Sequence, residues 1–252
     1  MDIEDYCALE RGSVSFEEDG ASRFAKGVAG DFNPIHDPGS KRFCVPGDLL
    51  FSVLLHRYGA FAETAVRFAG MLDAGVALAL PEGLENGSAH LLDPRGREVL
   101  SFHGSGSCFD DERFVAALSR EYVRFSGRTF PEILVPLMRE SEVMINPDRP
   151  LVIYKDMAFV LEGATGADSA IALTLADADL SVAGKKGVAR LRFEILADDE
   201  RIGTGEKNLV LGGLRAFDEE AMASVVDEYE GRREAFGTGT GTGAYEGELG
   251  AV

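Results

Sequence analysis

Three things are scarce in this chain of 252 residues: cysteine, positive charge and long apolar runs. Its three cysteines, Cys7, Cys44 and Cys108, are odd in number and far apart, and no Cys-x-x-Cys occurs. That argues against a disulfide framework and a thiolate zinc site. Cys44 lies near the motif described below but has no obvious base partner in sequence, so it reads as a small buried apolar residue. Basic residues number 25 against 43 acidic ones, for a net charge of −18. No basic cluster is longer than Lys185-Lys186. A nucleic-acid partner or an anionic membrane surface is therefore not expected. No apolar run approaches the roughly 20 residues that span a bilayer. The N-terminal MDIEDYCALERG is acidic and lacks an apolar h-region, which points away from a secretory signal and towards the cytoplasm. An acidic surface suits a high-salt cytoplasm and equally an ordinary acidic soluble protein.

What is present is a globular composition: 45% hydrophobic and 27% charged residues. That is enough chain for one large domain or two small ones. Ser13 to Phe16 alternates like a short strand. Ala21, Phe24, Ala25 and Val28 then follow at helical spacing, and Asn33-Pro34 forbids that helix to continue. Pro46 to Gly59 predicts an almost wholly apolar helix, which other elements must wrap. TAVRFAG and GVALAL read as strands, and SAHLLDPRGREVLSFHGSGSCF as a hairpin turning at Asp93-Pro94-Arg95-Gly96.

The second half offers a similar order. Thr129 to Met144 predicts a helix, with Thr129 and Glu132 at capping-box spacing and a bend at Pro136. Long strands follow, the last two turning at Asp198-Asp199-Glu200. A charged, exposed helix is expected from Glu219 to Phe236. The repeated order predicts an α+β fold of two units: residues 1–110, residues 111–236, and a disordered tail over 237–252. Gly104-x-Gly106 and Gly203-x-Gly205 lie in strand patterns, without the helix of a dinucleotide site. They point to bulges or close backbone packing. His90 and His103 have no ligand spacing with His36, so no metal site is expected. His56 falls on the apolar helix, as a core or interface residue.

The stretch that carries chemistry is Gly30-Asp31-Phe32-Asn33-Pro34-Ile35-His36. Asp31 and His36 stand five residues apart across a proline-stiffened turn. Such a pair is able to hold one water molecule, one side chain taking its proton while the other delivers a proton elsewhere. Gly30, Asn33 and Pro34 would support the loop. The bland alternative is a turn with a packed histidine.

The run from Phe24 to His36, together with the apolar helix that follows, resembles the hydratase motif of the MaoC-like (R)-specific enoyl-CoA hydratases and dehydratases. The longer run KGVAGDFNPIHDP…KRFCVPGDLLF also looks like a family of uncharacterised proteins. The resemblance covers about the first quarter of the chain. It implies a double hotdog, two curved antiparallel sheets each around a central helix, and Asp31 and His36 as the catalytic pair. It further implies an acyl thioester of coenzyme A or acyl carrier protein as substrate, with no metal or redox cofactor. A backbone N–H at Gly47 would hold the thioester carbonyl. Further pairing of two double hotdogs into a homodimer stays open.

Two departures accompany it. Family hydratases start the central helix with His-Gly, where this chain has Val45-Pro46-Gly47-Asp48, and they carry the motif in the second repeat rather than the first. A carboxylate at Asp48 favours the helix start but opposes a nearby oxyanion. Either Asp48 turns away and caps the helix, or the site stabilises no enolate. A hotdog thioesterase using Asp31 or Asp48, and a non-catalytic acyl-thioester binding protein, are the rival readings.

Overall fold

The computed structural model describes residues 1–163, 166 and 168–239. The chain opens with two short strands, β1 (Ala8–Glu10) and β2 (Ser13–Ser15), and a helix α1 (Glu18–Phe24). The helix α2 (Gly47–Tyr58) is followed by strands β3 (Ala60–Phe68), β4 (Leu78–Ala79), β5 (Ser88–Leu92) and β6 (Glu98–Phe109). Next come α3 (Glu112–Gly127), α4 (Leu134–Glu140) and a two-residue strand β7 (Val143–Met144). The long strands β8 (Val152–Leu161), β9 (Ile171–Ala183), β10 (Lys186–Ala197) and β11 (Glu200–Gly212) precede β12 (Arg215–Ala216) and the final helix α5 (Glu219–Gly239).

Ten strands form one antiparallel sheet in the order β1-β2-β4-β5-β6-β3-β8-β11-β10-β9. The first half of the chain supplies one side and the second half the other. They meet where β3 pairs with β8, with Val66 opposite Met157. Within each half the strand after the helices lies next to the last long strand, so the sheet curls around the helices. This is the α+β double-hotdog architecture.

The sequence explains why α2 is gripped on all sides. Leu49, Leu50, Phe51, Val53, Leu54 and Leu55 are all buried, so no face is left polar enough to meet water. Each such side chain contributes about 1.5–3 kcal/mol on burial. A continuous core joins α2 and α3 to Phe102, Phe159 and Phe193 on the inner sheet face. Phe51 and Tyr122 pack with ring centroids 4.3 Å apart. A second cluster gathers Leu134 and Met138 with Leu191, Leu209 and Met222, under α4 and α5.

Several expectations need correction. The buried helix of the second half is α3, over Glu112–Gly127, not a helix over Thr129–Met144. Asp111 caps it, its carboxylate accepting from the N–H groups of Arg113 and Phe114. The chain breaks helical geometry at Phe130, so Pro136 sits in the first turn of α4, where proline costs little. The Thr129–Glu132 capping box is not formed: Thr129 Oγ1 is buried with no hydrogen-bond partner among the described residues. GVALAL contributes only the two residues of β4. His56 is exposed at the far end of α2, so it is not a core residue. The final helix is not simply exposed, because Met222 and Tyr229 are buried. It reaches Gly239, so residues 237–239 belong to it rather than to a tail, and 240–252 lie outside the described residues. The Asp198-Asp199 turn stands as expected, both residues with positive φ, the two-residue loop that suits a hairpin. The Gly-x-Gly stretches are close-packing sites: a Cβ on Gly104 or Gly205 would overlap the rings of Phe61 or Phe193.

Candidate functional site

Two departures from α-helical geometry place the Asp31 loop. After α1 the backbone widens into one π-helical turn over Ala25–Ala29, and Gly30 ends it in the left-handed region at φ 72°. Asp31 N–H reaches back to Ala25 O at 2.8 Å. Asn33 then opens a single 3-10 turn over Pro34–His36, its side chain accepting from Ile35 N–H at 3.2 Å. Gly30, Asn33 and Pro34 therefore shape the loop.

Asp31 and His36 come together. Their closest atoms, His36 Nε2 and Asp31 Oδ2, are 3.5 Å apart, and both residues line one cavity. His36 Nδ1 lies 2.7 Å from the Cys44 carbonyl oxygen. A carbonyl only accepts, so Nδ1 carries a proton and Nε2 faces the carboxylate. Cys44 thus contributes its backbone; its buried thiol, pushed up to about 11 mainly by burial, is inert. Asp31 Oδ1 accepts from Asn33 N–H at 2.9 Å.

Burial by itself would push His36 below its ordinary pKa, but the hydrogen bond and charge of Asp31, the Cys44 carbonyl and the charge of Asp48 together raise it. Burial likewise works against ionised Asp31, and His36, Asn33 N–H and Lys207 outweigh it, so the carboxyl is held below its ordinary range. Both directions favour an imidazolium facing a carboxylate.

The cavity has a volume of about 510 Å³, within the range of small-molecule sites. Both halves of the chain wall it, with Leu50, Phe68 and Leu72 from the first and Phe130, Leu134 and Val225 from the second. Gly47 lines it at the first turn of α2, where backbone N–H groups have no partner within the helix. A Cβ at Gly47 would lie 2.4 Å from the Tyr154 ring, so only glycine fits this approach.

Asp48 turns away. It is 2% exposed and caps no backbone group of its helix. Ser126 Oγ lies 2.7 and 2.8 Å from its two oxygens, and the Tyr154 hydroxyl donates to it at 2.8 Å. Lys207 Nζ stands 3.4 Å from Oδ1, in contact with Ser126 Oγ and 3.6 Å from the centre of the Tyr154 ring. Lys207 is fully buried. A cation therefore balances the Asp48 charge beside the cavity.

Sequence reasoning missed this lysine, and it missed Tyr229. From α5, the Tyr229 hydroxyl accepts from Phe32 N–H at 3.1 Å and lies 3.3 Å from Gly30 O and 3.4 Å from Asp31 Oδ1. Arg232, one turn on, pairs with Asp37 at 2.5 Å, and Lys26 pairs with the same carboxylate at 2.7 Å. The only sequence signal for this docking was the spacing of Met222, Val225, Val226 and Tyr229 on one face of α5. Among the described residues no cluster of histidine, cysteine and carboxylates is arranged to hold a metal ion, and no helix is long and apolar enough to cross a membrane.

A family model, described as a protein of unknown function, DUF3581, matches residues 1–220. The chain belongs to that family. A comparison with curated proteins finds no match. Among solved structures, an acyl-CoA thioesterase II from Mycobacterium marinum is similar at 12% identity and TM-score 0.41, over 87% of this chain and 99% of that one. A protein described as a MaoC domain dehydratase from Chloroflexus aurantiacus gives 8% identity and TM-score 0.43, over 82% and 94%. A hot dog fold protein of unknown function from Alicyclobacillus acidocaldarius gives 9% and 0.43, over 83% and 97%.

Proposed function

We propose that this protein is a hydratase or dehydratase of the MaoC-like kind, adding water to an enoyl thioester or removing it from a 3-hydroxyacyl thioester. The observation that carries this reading is the Asp31–His36 pair facing one apolar cavity, its atoms 3.5 Å apart. A water molecule seated against both loses a proton to the Asp31 carboxylate as its oxygen bonds to C3. The His36 imidazolium, anchored through Nδ1, supplies the proton that C2 takes up. The acyl chain occupies the apolar part of the cavity. The thioester oxygen, which gains negative charge during the addition, faces the first turn of α2 at Gly47. The turned-away and cation-balanced Asp48 removes the objection that its carboxylate would oppose that charge. The carrier is coenzyme A or an acyl carrier protein, and the chemistry calls for no metal or redox nucleotide.

The test follows loss of conjugated enoyl absorbance across short and medium trans-2-enoyl-CoA substrates. Wild-type activity that Asp31→Asn and His36→Ala each reduce by about 10²-fold or more, in folded protein, supports the reading. No turnover on any chain length sinks it for CoA thioesters. Release of free thiol from saturated acyl-CoA in the same preparation would instead identify a thioesterase, with Asp31 directing water to the carbonyl. Saturable binding without turnover would identify a binding protein.

A further inference from the structure

The buried group beside the cavity is not used by hydration chemistry. It brings together a serine hydroxyl, a lysine and a carboxylate from three distant elements: Ser126 at the end of α3, Lys207 in β11 and Asp48 in α2. We propose that Ser126 is a nucleophile, with Lys207 as its base and Asp48 as the group that orients and balances Lys207, so that the cavity also accepts an acyl group as a covalent serine ester.

Four observations support it. Ser126 lines the same cavity as Asp31 and His36. Lys207 Nζ is in direct hydrogen-bond contact with Ser126 Oγ, donating to it as the ammonium and placed to accept the Ser126 proton as the neutral amine. Asp48, within 3.4 Å of Nζ and 2.7 Å of Oγ, holds both partners. The arrangement of nucleophile, base and orienting third group is the triad logic that recurs on unrelated folds, including serine–lysine forms. The fourth is that Lys207 is fully enclosed: burial lowers its pKa and the Asp48 charge only partly offsets this, which raises the share of neutral amine able to take a proton. Tyr154, whose hydroxyl stays protonated because burial and Asp48 raise its pKa well above the usual value, contacts Ser126 at 2.9 Å and Asp48 at 2.8 Å and fixes the cluster.

The step balances. Ser126 Oγ bonds to the acyl carbon while its proton passes to Lys207 Nζ. The ammonium so formed lies against Asp48. The bond from the acyl carbon to the thiol sulfur breaks, and the departing thiolate takes the proton from Lys207. The first-turn N–H groups of α2, at Gly47, face the carbonyl oxygen while it carries charge.

The physiological acyl donor rests on the acyl-thioester reading above, but the reactivity is testable without it. The purified chain is incubated with p-nitrophenyl butyrate, and in parallel with an alkyl fluorophosphonate, then measured by intact mass and peptide mapping. The expected result is one butyryl or phosphonyl group on Ser126, absent in Ser126→Ala, with the labelling rate in Lys207→Met lowered about 10²-fold or more. Ser126→Ala deletes one oxygen and leaves Lys207 facing Asp48, so this variant remains informative where Lys207→Met is too unstable to isolate. A folded wild-type chain without label on Ser126, or label that persists at full rate in Ser126→Ala, overturns the proposal. Undiminished labelling in folded Lys207→Met overturns the role of Lys207. The label is read on the protein's mass and not on enoyl turnover, so failure here and failure of hydration are separate results.

Discussion

Replacing Lys207 with methionine tests the buried cluster most directly, because the structure fixes what is lost. Lys207 has no exposed surface and the Asp48 side chain is 3% exposed. Methionine fills most of the aliphatic space but removes the cation. Asp48 is then a buried carboxylate with no counter-charge, a situation that costs about 3–5 kcal/mol. The hydroxyls of Ser126 and Tyr154 still point at its oxygens, which places the expected loss at the low end, about 3 kcal/mol. With a urea m-value near 3 kcal/mol/M for a chain of this size, the unfolding midpoint should fall by about 1 M. Adding Asp48→Asn to the same chain removes the orphaned charge and should restore about 1–3 kcal/mol of the loss. Urea titrations of wild type, both single variants and the double variant, followed by far-UV circular dichroism, close the cycle. A Lys207→Met chain within about 0.5 kcal/mol of wild type would refute the reasoning. So would a double variant whose loss equals the sum of the single losses.

Tyr229→Phe leaves the buried Phe32 N–H without its acceptor and frees the Asp31 loop from α5. Stability should fall by about 1–3 kcal/mol, with kcat for hydration falling more than the melting shift alone would account for; thermal unfolding and enoyl-CoA kinetics measure both. On the proposed hydratase reading, activity should be bell-shaped in pH. Asp31, held below the ordinary 3.8, is lost as base only on strong acidification, and His36, raised above 6.5, is lost as acid as pH rises through that higher value. The same pair stabilises the fold within that window: the His36 contribution is complete below 6.5 and disappears as pH climbs through its raised pKa, and the Asp31 contribution is complete above 3.8 and disappears as pH drops through its lowered one. His36→Gln should flatten the alkaline limb of a stability–pH titration, and an unchanged limb would count against the ion pair. Of the three thiols only Cys108 is exposed, so a disulfide reagent at neutral pH should modify one thiol in the native chain and all three in denaturant.

Much of the Asp31–His36 loop was legible because its information is local. Gly30, Asn33, Pro34 and the five-residue interval from Asp31 to His36 act through backbone restrictions that neighbouring residues impose on one another. The wholly apolar pattern of α2 also stated that something must surround it. The second half was harder. Phe114, Val115, Leu118, Tyr122 and Phe125 do follow helical spacing behind the Asp111 cap, yet the proline-marked stretch from Thr129 carried the more familiar start signals and drew the expected helix there. What those signals lack is tertiary packing: α3 won the central place because it offers a face that α2 and the inner sheet bury together.

The sequence by itself determined the loop, the apolar helix and the strands whose alternating residues must face a core, since each follows from restrictions over a few residues. Only the tertiary structure decided the state of Asp48. At a helix start it reads as a charge beside the proposed thioester site, but its meaning depends on Ser126, Tyr154 and Lys207, which lie 78, 106 and 159 residues away. The same is true of Tyr229, 198 residues from Asp31. Charge balance and burial are properties of what surrounds a side chain, and those surroundings exist only once the two halves of the sheet have closed around their helices.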